Sequence, residues 1–403
     1  MTTTHTRPSL DGGIRLASWA RGSERSAMQR MLSIASRPGA ISFALGLPAP
    51  ELFPVEAINE AANSVLAGDR RALQYGPTSD RLRRQVVGLM ARRGVSCREE
   101  QVFITAGAQQ GVNLLAHLLL DRGGQVIVEE MIYPGTRQVL ELFQTEVLTV
   151  PTDLETGMDV DSVERLLARG TRPAFIYAIT DGHNPLGVSM SAPKRARLVE
   201  LARRYHVPVV EDDPYGFLCY DPSCAPPMRA LDDAWVLYVG SFSKILAPTL
   251  RVGWMVLPES LIPQVSIVKE AADIDTSTFT QRVVSSFLDA GAAEGHMQRL
   301  RGEYRARRDA MLRALEGSFP AGARWAKPSA GFFVWVELPG GIDMLRLLEE
   351  SIETENVAFI PGQAFSVSGG RGGPPSMRLN FSHNPAERIG EGVARLARLL
   401  SRF

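Results

Sequence analysis

The sequence predicts an α/β fold: a large unit built on a mostly parallel, seven-stranded sheet, joined to a smaller α+β unit. Three observations carry this expectation. The chain has 403 residues with 45% apolar content, enough to bury a full core and to form two or three structural units. Short β-branched or apolar runs bounded by turn residues recur at 101–105, 125–129, 146–150, 174–179, 207–211, 236–240 and 251–257. Helical periodicity at 55–67 precedes them, and helical stretches at 109–120, 135–143, 160–168 and 192–205 lie between most of them. Alternation of this kind builds a largely parallel sheet, and such sheets place ligands at the carboxyl ends of their strands.

Taken in order, residues 15–37 are polar to mixed and read as an arm or helix. Residues 40–50 (AISFALGLPAP) are an apolar, strand-like run broken by Gly and Pro. This lead-in is too short for a DNA-binding domain. From 262 to 315 the pattern is helical and ends in an arginine-rich helix at 297–315, whose charges read as a solvated face. Then follow a strand at 331–338 (GFFVWVEL), a helix near 343–354, a short strand at 357–360, a Gly/Pro-rich loop at 368–375, a strand at 376–381 and a final helix at 385–400. Strands interspersed with helices predict the smaller α+β unit. The expected division is 1–54 as an arm and covering segment packed with the small unit, 55–295 as the large unit, and 296–403 as the small one. No internal repeat or low-complexity tract is evident.

Composition narrows the function classes. The 44 Lys and Arg are matched by 44 Asp and Glu, so there is no basic excess to neutralise nucleic-acid or lipid phosphates. Neither a nucleic acid nor a membrane is expected as a partner. No apolar run reaches membrane-spanning length, and residues 1–10 lack the apolar core of a signal peptide. Cys97, Cys219 and Cys224 cannot all pair and show no metal-ligand spacing; they read as small buried hydrophobes, with no metal expected and a reducing, cytoplasmic compartment.

Lysine occurs at Lys194, Lys244, Lys269 and Lys327 alone, so lysine-dependent chemistry has few candidates. Lys194 and Lys269 fall in helices and Lys327 in a loop before a proline. Lys244 instead follows the apolar strand at 235–240, in Ser241-Phe242-Ser243-Lys244, where an open sheet puts its ligands. A lysine among apolar walls and near another cation has a lowered pKa and an amine nucleophilic toward aldehydes. Taken alone, the segment is better explained as a surface lysine in a serine-rich turn.

Ser-Phe-Ser-Lys followed by Leu250-Arg251-Val252-Gly253-Trp254 resembles the cofactor-lysine segment of class I/II aminotransferases, and the resemblance runs through most of the chain. It implies the pyridoxal phosphate (PLP) transferase fold, fold type I. In that family the lysine, here Lys244, carries PLP as a Schiff base, and Ser241, Ser243 and Arg251 hold its phosphate. A planar guanidinium suits phosphate because it binds two oxygens and stays charged.

Other segments carry the resemblance further. Thr105-Ala106-Gly107-Ala108-Gln109-Gln110 is similar to the family's phosphate cup, in which amides at a helix N-terminus bind an anion; Gly107, Ala108 and Gln109 are the implied contacts. Relatives often carry serine where this chain has Ala108. In Glu211-Asp212-Asp213-Pro214-Tyr215-Gly216, read as following a strand that ends at Val210, Asp212 matches the partner of the pyridine nitrogen. Tyr215 matches the tyrosine that hydrogen-bonds the cofactor's phenolic oxygen. Asn184-Pro185-Leu186-Gly187 resembles Asn-Pro-x-Gly, whose asparagine contacts the same oxygen and borders the substrate. The adjacent His183 reads as structural. Tyr133 matches the aromatic that stacks on the ring, and Arg378, flanked by apolar residues, the arginine that clamps the substrate α-carboxylate. Gly46 resembles the loop over the substrate, and Tyr75 the tyrosine that reaches the cofactor of the opposite subunit. The resemblance therefore implies a homodimer with shared active sites. The forms of these segments are most similar to the 2-aminoadipate and kynurenine aminotransferase subgroup, which also includes the PLP-binding half of certain transcription regulators.

The implied activity is amino transfer between an L-amino acid and a 2-oxo acid, with Lys244, Asp212 and Tyr215 as catalytic residues. Motifs that bind the cofactor do not choose the bond to break, so a lyase, cyclising or oxidase-type reaction on the same fold, or a non-catalytic PLP-binding sensor, stays open. Two segments depart from the pattern: Thr78-Ser79-Asp80-Arg81 reads slightly shortened, and Asp273-Ile274-Asp275 has an acid where relatives commonly have histidine. An extra acid near the substrate side chain would pair with a cation, which suggests a guanidino or other basic amino acid, for instance one used in specialised metabolism. The plainer alternative is that Asp80 caps a helix and Asp275 faces solvent.

Overall fold

The computed structural model describes residues 14, 17, 19–20, 39–221, 224–367 and 373–403. The expected arm at 15–37 and most of the loop at 368–375 lie outside these. Seven strands form the large sheet: β1 (Val102–Thr105), β2 (Gln125–Glu129), β3 (Glu146–Val150), β4 (Phe175–Ala178), β5 (Val209–Asp213), β6 (Val236–Ser241) and β7 (Gly253–Val256), in the order β1-β7-β6-β5-β4-β2-β3. All neighbours are parallel except β7, which runs antiparallel to both β1 and β6.

Strand alternation divides the core into two layers. Val126 and Val128 of β2 face helices Ala108–Leu119 and Pro134–Leu142, whereas Ile127 between them faces Val160–Ala168 and Ala192–Tyr205. These runs are apolar on both faces because helices cover both sides, as a parallel sheet requires. The same period of two sorts the acids of β5. Its pairing puts Tyr177 of β4 beside Val210, so Asp212, two residues on, shares a face with Tyr177 while Glu211 and Asp213 point the other way.

A second, four-stranded antiparallel sheet comes from β8 (Arg324–Trp325), β9 (Phe333–Glu337), β10 (Ile360–Pro361) and β11 (Ser376–Asn380), ordered β8-β9-β11-β10. The long helix Ala293–Ser318 and the final helix Ala386–Leu400 pack over it through Tyr304, Met311, Leu315, Ile389, Val393 and Leu396. From the N-terminal run only Ile41–Ser42 is a strand, pairing in parallel with Val357–Ala358, and Phe43 O accepts from Asn380 N.

Three expectations need correction. β5 extends through Asp213, so Glu211, Asp212 and Asp213 are strand residues, held there by pairing with Tyr238, Val239 and Gly240 of β6. The arginine-rich helix is not solvated throughout: Arg307 is buried and donates to Ser382 O, and Arg308 is buried, donates to Pro328 O and lies over the Tyr220 ring. Cys219 and Cys224 are joined as a disulfide, with Cα atoms 6.4 Å apart, where both sulfurs lie over Ser329 O, and only Cys97 is free. Among the described residues no helix is long and apolar enough to cross a membrane.

Candidate active site

The expected site residues gather at the carboxyl ends of β1, β2, β4, β5 and β6, where the sheet meets β11 of the small sheet. At the end of β1 the chain turns through Gly107 at φ 88° and enters helix Ala108–Leu119. A side chain there would be strained, and its Cβ would lie 2.5 Å from Arg251 Nη2, so glycine is required twice over. The opening amides of a helix have no intrahelical acceptor, and those of Ala108 and Gln109 lie in this first turn. Arg251, itself left-handed at φ 49°, donates to Ala106 O at 2.7 Å and Pro248 O at 3.3 Å. Ser241 Oγ accepts from Ser243 N at 3.1 Å just beyond β6. The Gln109 side chain turns away to Gly135 O at 2.8 Å, leaving only its backbone toward the cup.

Lys244 stands out among the lysines. Lys269 is ion-paired with Asp273, and Lys194 donates to Gly157 O. Lys244 Nζ donates to Gly46 O at 3.0 Å and lies 5.8 Å from the centre of the Phe332 ring; among the described residues it forms no ion pair with a carboxylate. Burial first, then the positive charges of Arg378 and Arg251, bring its pKa down to about 8. Gly46 must be glycine for this approach, since a Cβ would lie 2.6 Å from Phe333 Cζ.

Opposite stands an acid wall. Asp212 is buried; its Oδ2 accepts from Tyr177 Oη at 2.6 Å, and its Oδ1 has no partner among the described residues. Burial raises its pKa to about 6, against the lowering effect of the Tyr177 hydrogen bond. Tyr215 is buried edge-on to Phe332 and Phe333, and burial raises its pKa, as it does that of half-buried Tyr133. Asp213, on the other face, accepts from Gly216 N and Tyr238 Oη and pairs with Arg93. His183 Nε2 lies 3.0 Å from Glu129 Oε2.

Arg378 closes the site from β11. It is fully buried between the rings of Phe333 and Phe365, 4.2 and 4.8 Å from their centres. Nη1 donates to Asn184 Oδ1 at 2.7 Å and Nη2 to Ala44 O, while Nε has no partner among the described residues. Among the described residues no carboxylate neutralises it, and burial brings its pKa down to about 10. A buried cation without a counter-ion costs several kcal/mol, which an incoming carboxylate would recover. Tyr75 is not part of this cluster: it stands on the surface, 84% exposed. Asp80 opens helix Asp80–Arg92 on the surface beside its ion-pair partner Arg83. Asp275 Oδ1 accepts from Thr78 Oγ1 at 3.1 Å and Thr276 N at 2.8 Å, and Oδ2 has no partner among the described residues.

Sequence reasoning missed Tyr177 and Thr136, whose Oγ1 donates to Tyr177 Oη at 2.8 Å, and the aromatic clamp on Arg378. The available signal for Tyr177 was a hydroxyl-bearing residue on a strand otherwise buried on both faces.

The family model for aminotransferase class I and II matches residues 41–396. The chain is 37% identical over 399 residues to "Aromatic-amino-acid aminotransferase 1" of Thermococcus litoralis, covering 97% of this chain and 95% of that one. It is 38% identical over 382 residues to the 2-aminoadipate transaminase of Thermus thermophilus, covering 94% of each. It superposes with a TM-score of 0.85 at 37% identity on the Thermus thermophilus α-aminoadipate aminotransferase complexed with N-(5'-phosphopyridoxyl)-L-leucine, covering 96% of this chain and 99% of that one. The residues fit pyridoxal 5'-phosphate: an unpartnered buried carboxylate oxygen on Asp212, a glycine-lined anion cradle beside Arg251, and an uncompensated lysine between them. With its cofactor and its amino-acid and 2-oxo-acid substrates settled by that kinship, the chain belongs to the class I and II aminotransferases.

Proposed function

We propose that this site binds the cofactor and an L-amino acid with the residues matched above, and that the enzyme works as a homodimer. Lys244 anchors the cofactor, and Asp212 Oδ1 faces its ring nitrogen. Tyr215 and Asn184 serve its phenolic oxygen, Tyr133 stacks on the ring, and the amides of Gly107, Ala108 and Gln109 take the phosphate with Ser241, Ser243 and Arg251. Tyr75 reaches the phosphate held by the other subunit; its exposure beside exposed Leu73 supports this. The chain divides into 1–54, 55–295 and 296–403, which is supported by the pairing of Ile41–Ser42 with Val357–Ala358.

When bound, PLP supplies an electron sink for the bond broken at the substrate Cα. Arg378 holds the α-carboxylate, with its Nε as the free donor, and thereby aims that bond. Lys244, neutral above about pH 8, takes the proton from Cα and returns one across the same face. The observation that carries this reading is the pairing of a buried, uncompensated Arg378 with a half-buried, uncompensated Lys244. The test is a visible spectrum of the holoenzyme with a panel of amino donors. Conversion to the amino form of the cofactor by one donor, reversed by a 2-oxo acid, is expected. A holoenzyme that no donor converts returns the choice to a sensor or to another reaction on this fold.

For the donor, names of relatives point to aromatic and 2-aminoadipate side chains. A basic or guanidino side chain, as in specialised metabolism, has one specific support, the unpartnered Oδ2 of Asp275. Asp80 lends none, being engaged by Arg83. If Asp275→Ala leaves kcat/KM for arginine-like donors unchanged, the basic reading falls and the panel ranks the others.

A further inference from the structure

Behind Asp212 lies a buried chain of hydroxyls that the roles above do not use. Tyr177 and Thr136 are 2% and 1% exposed. Thr136 Oγ1 donates to Tyr177 Oη at 2.8 Å, and Tyr177 Oη donates to Asp212 Oδ2 at 2.6 Å. The two ends come from different layers: Thr136 sits one helical turn after Tyr133 in Pro134–Leu142, whereas Tyr177 and Asp212 share a face of adjacent parallel strands. One carboxylate oxygen is thereby committed and the other left without a partner.

The direction of the donation sets its chemistry. A hydroxyl donating to a carboxylate stabilises the charged form, and charge-assisted O–H···O bonds near 2.6 Å are the strong kind. Asp212 needs that help, because burial and the neighbouring Asp213 both favour its neutral form; His183, tied to Glu129, is the other group acting to keep it charged. Tyr177 holds its own proton firmly, since burial and the Asp212 charge raise its pKa well above the usual value. Tyr133 and Tyr215 complete the titratable groups about this carboxylate.

We propose that Tyr177, oriented by Thr136, is the positioning residue that keeps the Asp212 carboxylate ionised and aimed at the cofactor's ring nitrogen. This rests on the reading that Asp212 faces that nitrogen. Without the Tyr177 hydroxyl, Asp212 would hold a proton more readily and would support less positive charge on the ring nitrogen of a bound cofactor, which would weaken both its electron sink and the acidity of the nitrogen joined to Lys244.

Tyr177→Phe removes one oxygen from a packed ring and tests this directly. The holoenzyme's visible absorbance is titrated with pH, PLP affinity is measured by equilibrium dialysis, and kcat and KM are separated. The pH midpoint is expected to rise by roughly one unit and the PLP Kd by roughly tenfold, the worth of one charge-assisted hydrogen bond. kcat should fall with KM for the donor unchanged, and the Tm of the cofactor-free chain should stay near wild type. Thr136→Val should give a smaller shift of the same sign that disappears in the Tyr177→Phe background. If Asp212→Asn moves midpoint and Kd but Tyr177→Phe does not, the positioning role is overturned while the reading of Asp212 stands. If Asp212→Asn moves neither, that reading itself is wrong and the proposal goes with it. A lower Tm with an unmoved midpoint would mark Tyr177 as a packing residue only.

Discussion

The two anion-facing ends of the site are built by opposite means. Around Gly107 the donors are backbone amides at a helix start, and the one cation, Arg251, is exposed and tied to two carbonyls. Around Arg378 the guanidinium is fully buried, sandwiched between rings, and matched by no carboxylate among the described residues. The first end suits a permanently held group, because backbone donors cost little to keep and water screens the arginine when the site is open. The second suits a group that comes and goes, because the strain of an unpaired buried charge is relieved only while the visitor is bound. Lys244 lies within the electrostatic reach of both, and both cations lower its proton affinity.

Several experiments would break or sharpen this contrast. The largest effect is expected for Lys244→Ala, which should lower turnover by about 10²–10⁴-fold in holoenzyme kinetics, the usual worth of a positioned acid–base group. Arg378→Met should cut kcat/KM by roughly 10²-fold, yet raise the Tm of the cofactor-free chain, because an uncompensated buried charge is gone. A lower Tm would show that the bonds to Asn184 and Ala44 matter more than the unpaired charge. Gly107→Ala should act the other way round, weakening PLP affinity by about 1–3 kcal/mol through backbone strain and contact with Arg251, with KM for the amino acid little changed. The smallest effect is kinetic. In the cofactor-free chain, acylation of the Lys244 amine, followed by mass spectrometry, should reach half its maximal rate near pH 8. The sign follows from the lowered pKa: the reactive neutral amine predominates above about 8, whereas an ordinary lysine must wait for about 10.4. A midpoint near that ordinary value would mean that neither burial nor the two cations act on Lys244.

Much of this was legible in the residues. The seven runs from 101 to 257 are the seven strands of the large sheet, and helices Val160–Ala168 and Ala192–Tyr205 fall where periodicity put them. Local pattern suffices there because strand alternation and helical period are properties of consecutive residues. Less was legible where partners are distant. The burial of Arg307 and Arg308 depends on carbonyls at Ser382 and Pro328, and the meeting of Cys219 and Cys224 over Ser329 O depends on a residue more than a hundred positions away. Neither leaves a periodic trace. Asp212 and Asp213 are chemically alike in sequence; they differ because strand pleating sends one to Tyr177 and the other to Arg93.

What the sequence by itself determined is the α/β plan and the family, since turn residues, apolar period and motif are written in short stretches. What only the tertiary structure decided is the state of the reactive groups. The lowered pKa of Lys244, the lone guanidinium of Arg378 and the hydroxyl chain behind Asp212 each depend on residues far apart in the chain: Lys244 on Arg378, Arg378 on Asn184, and Asp212 on Tyr177. Burial and charge act through space, and that distance cannot be read along a chain.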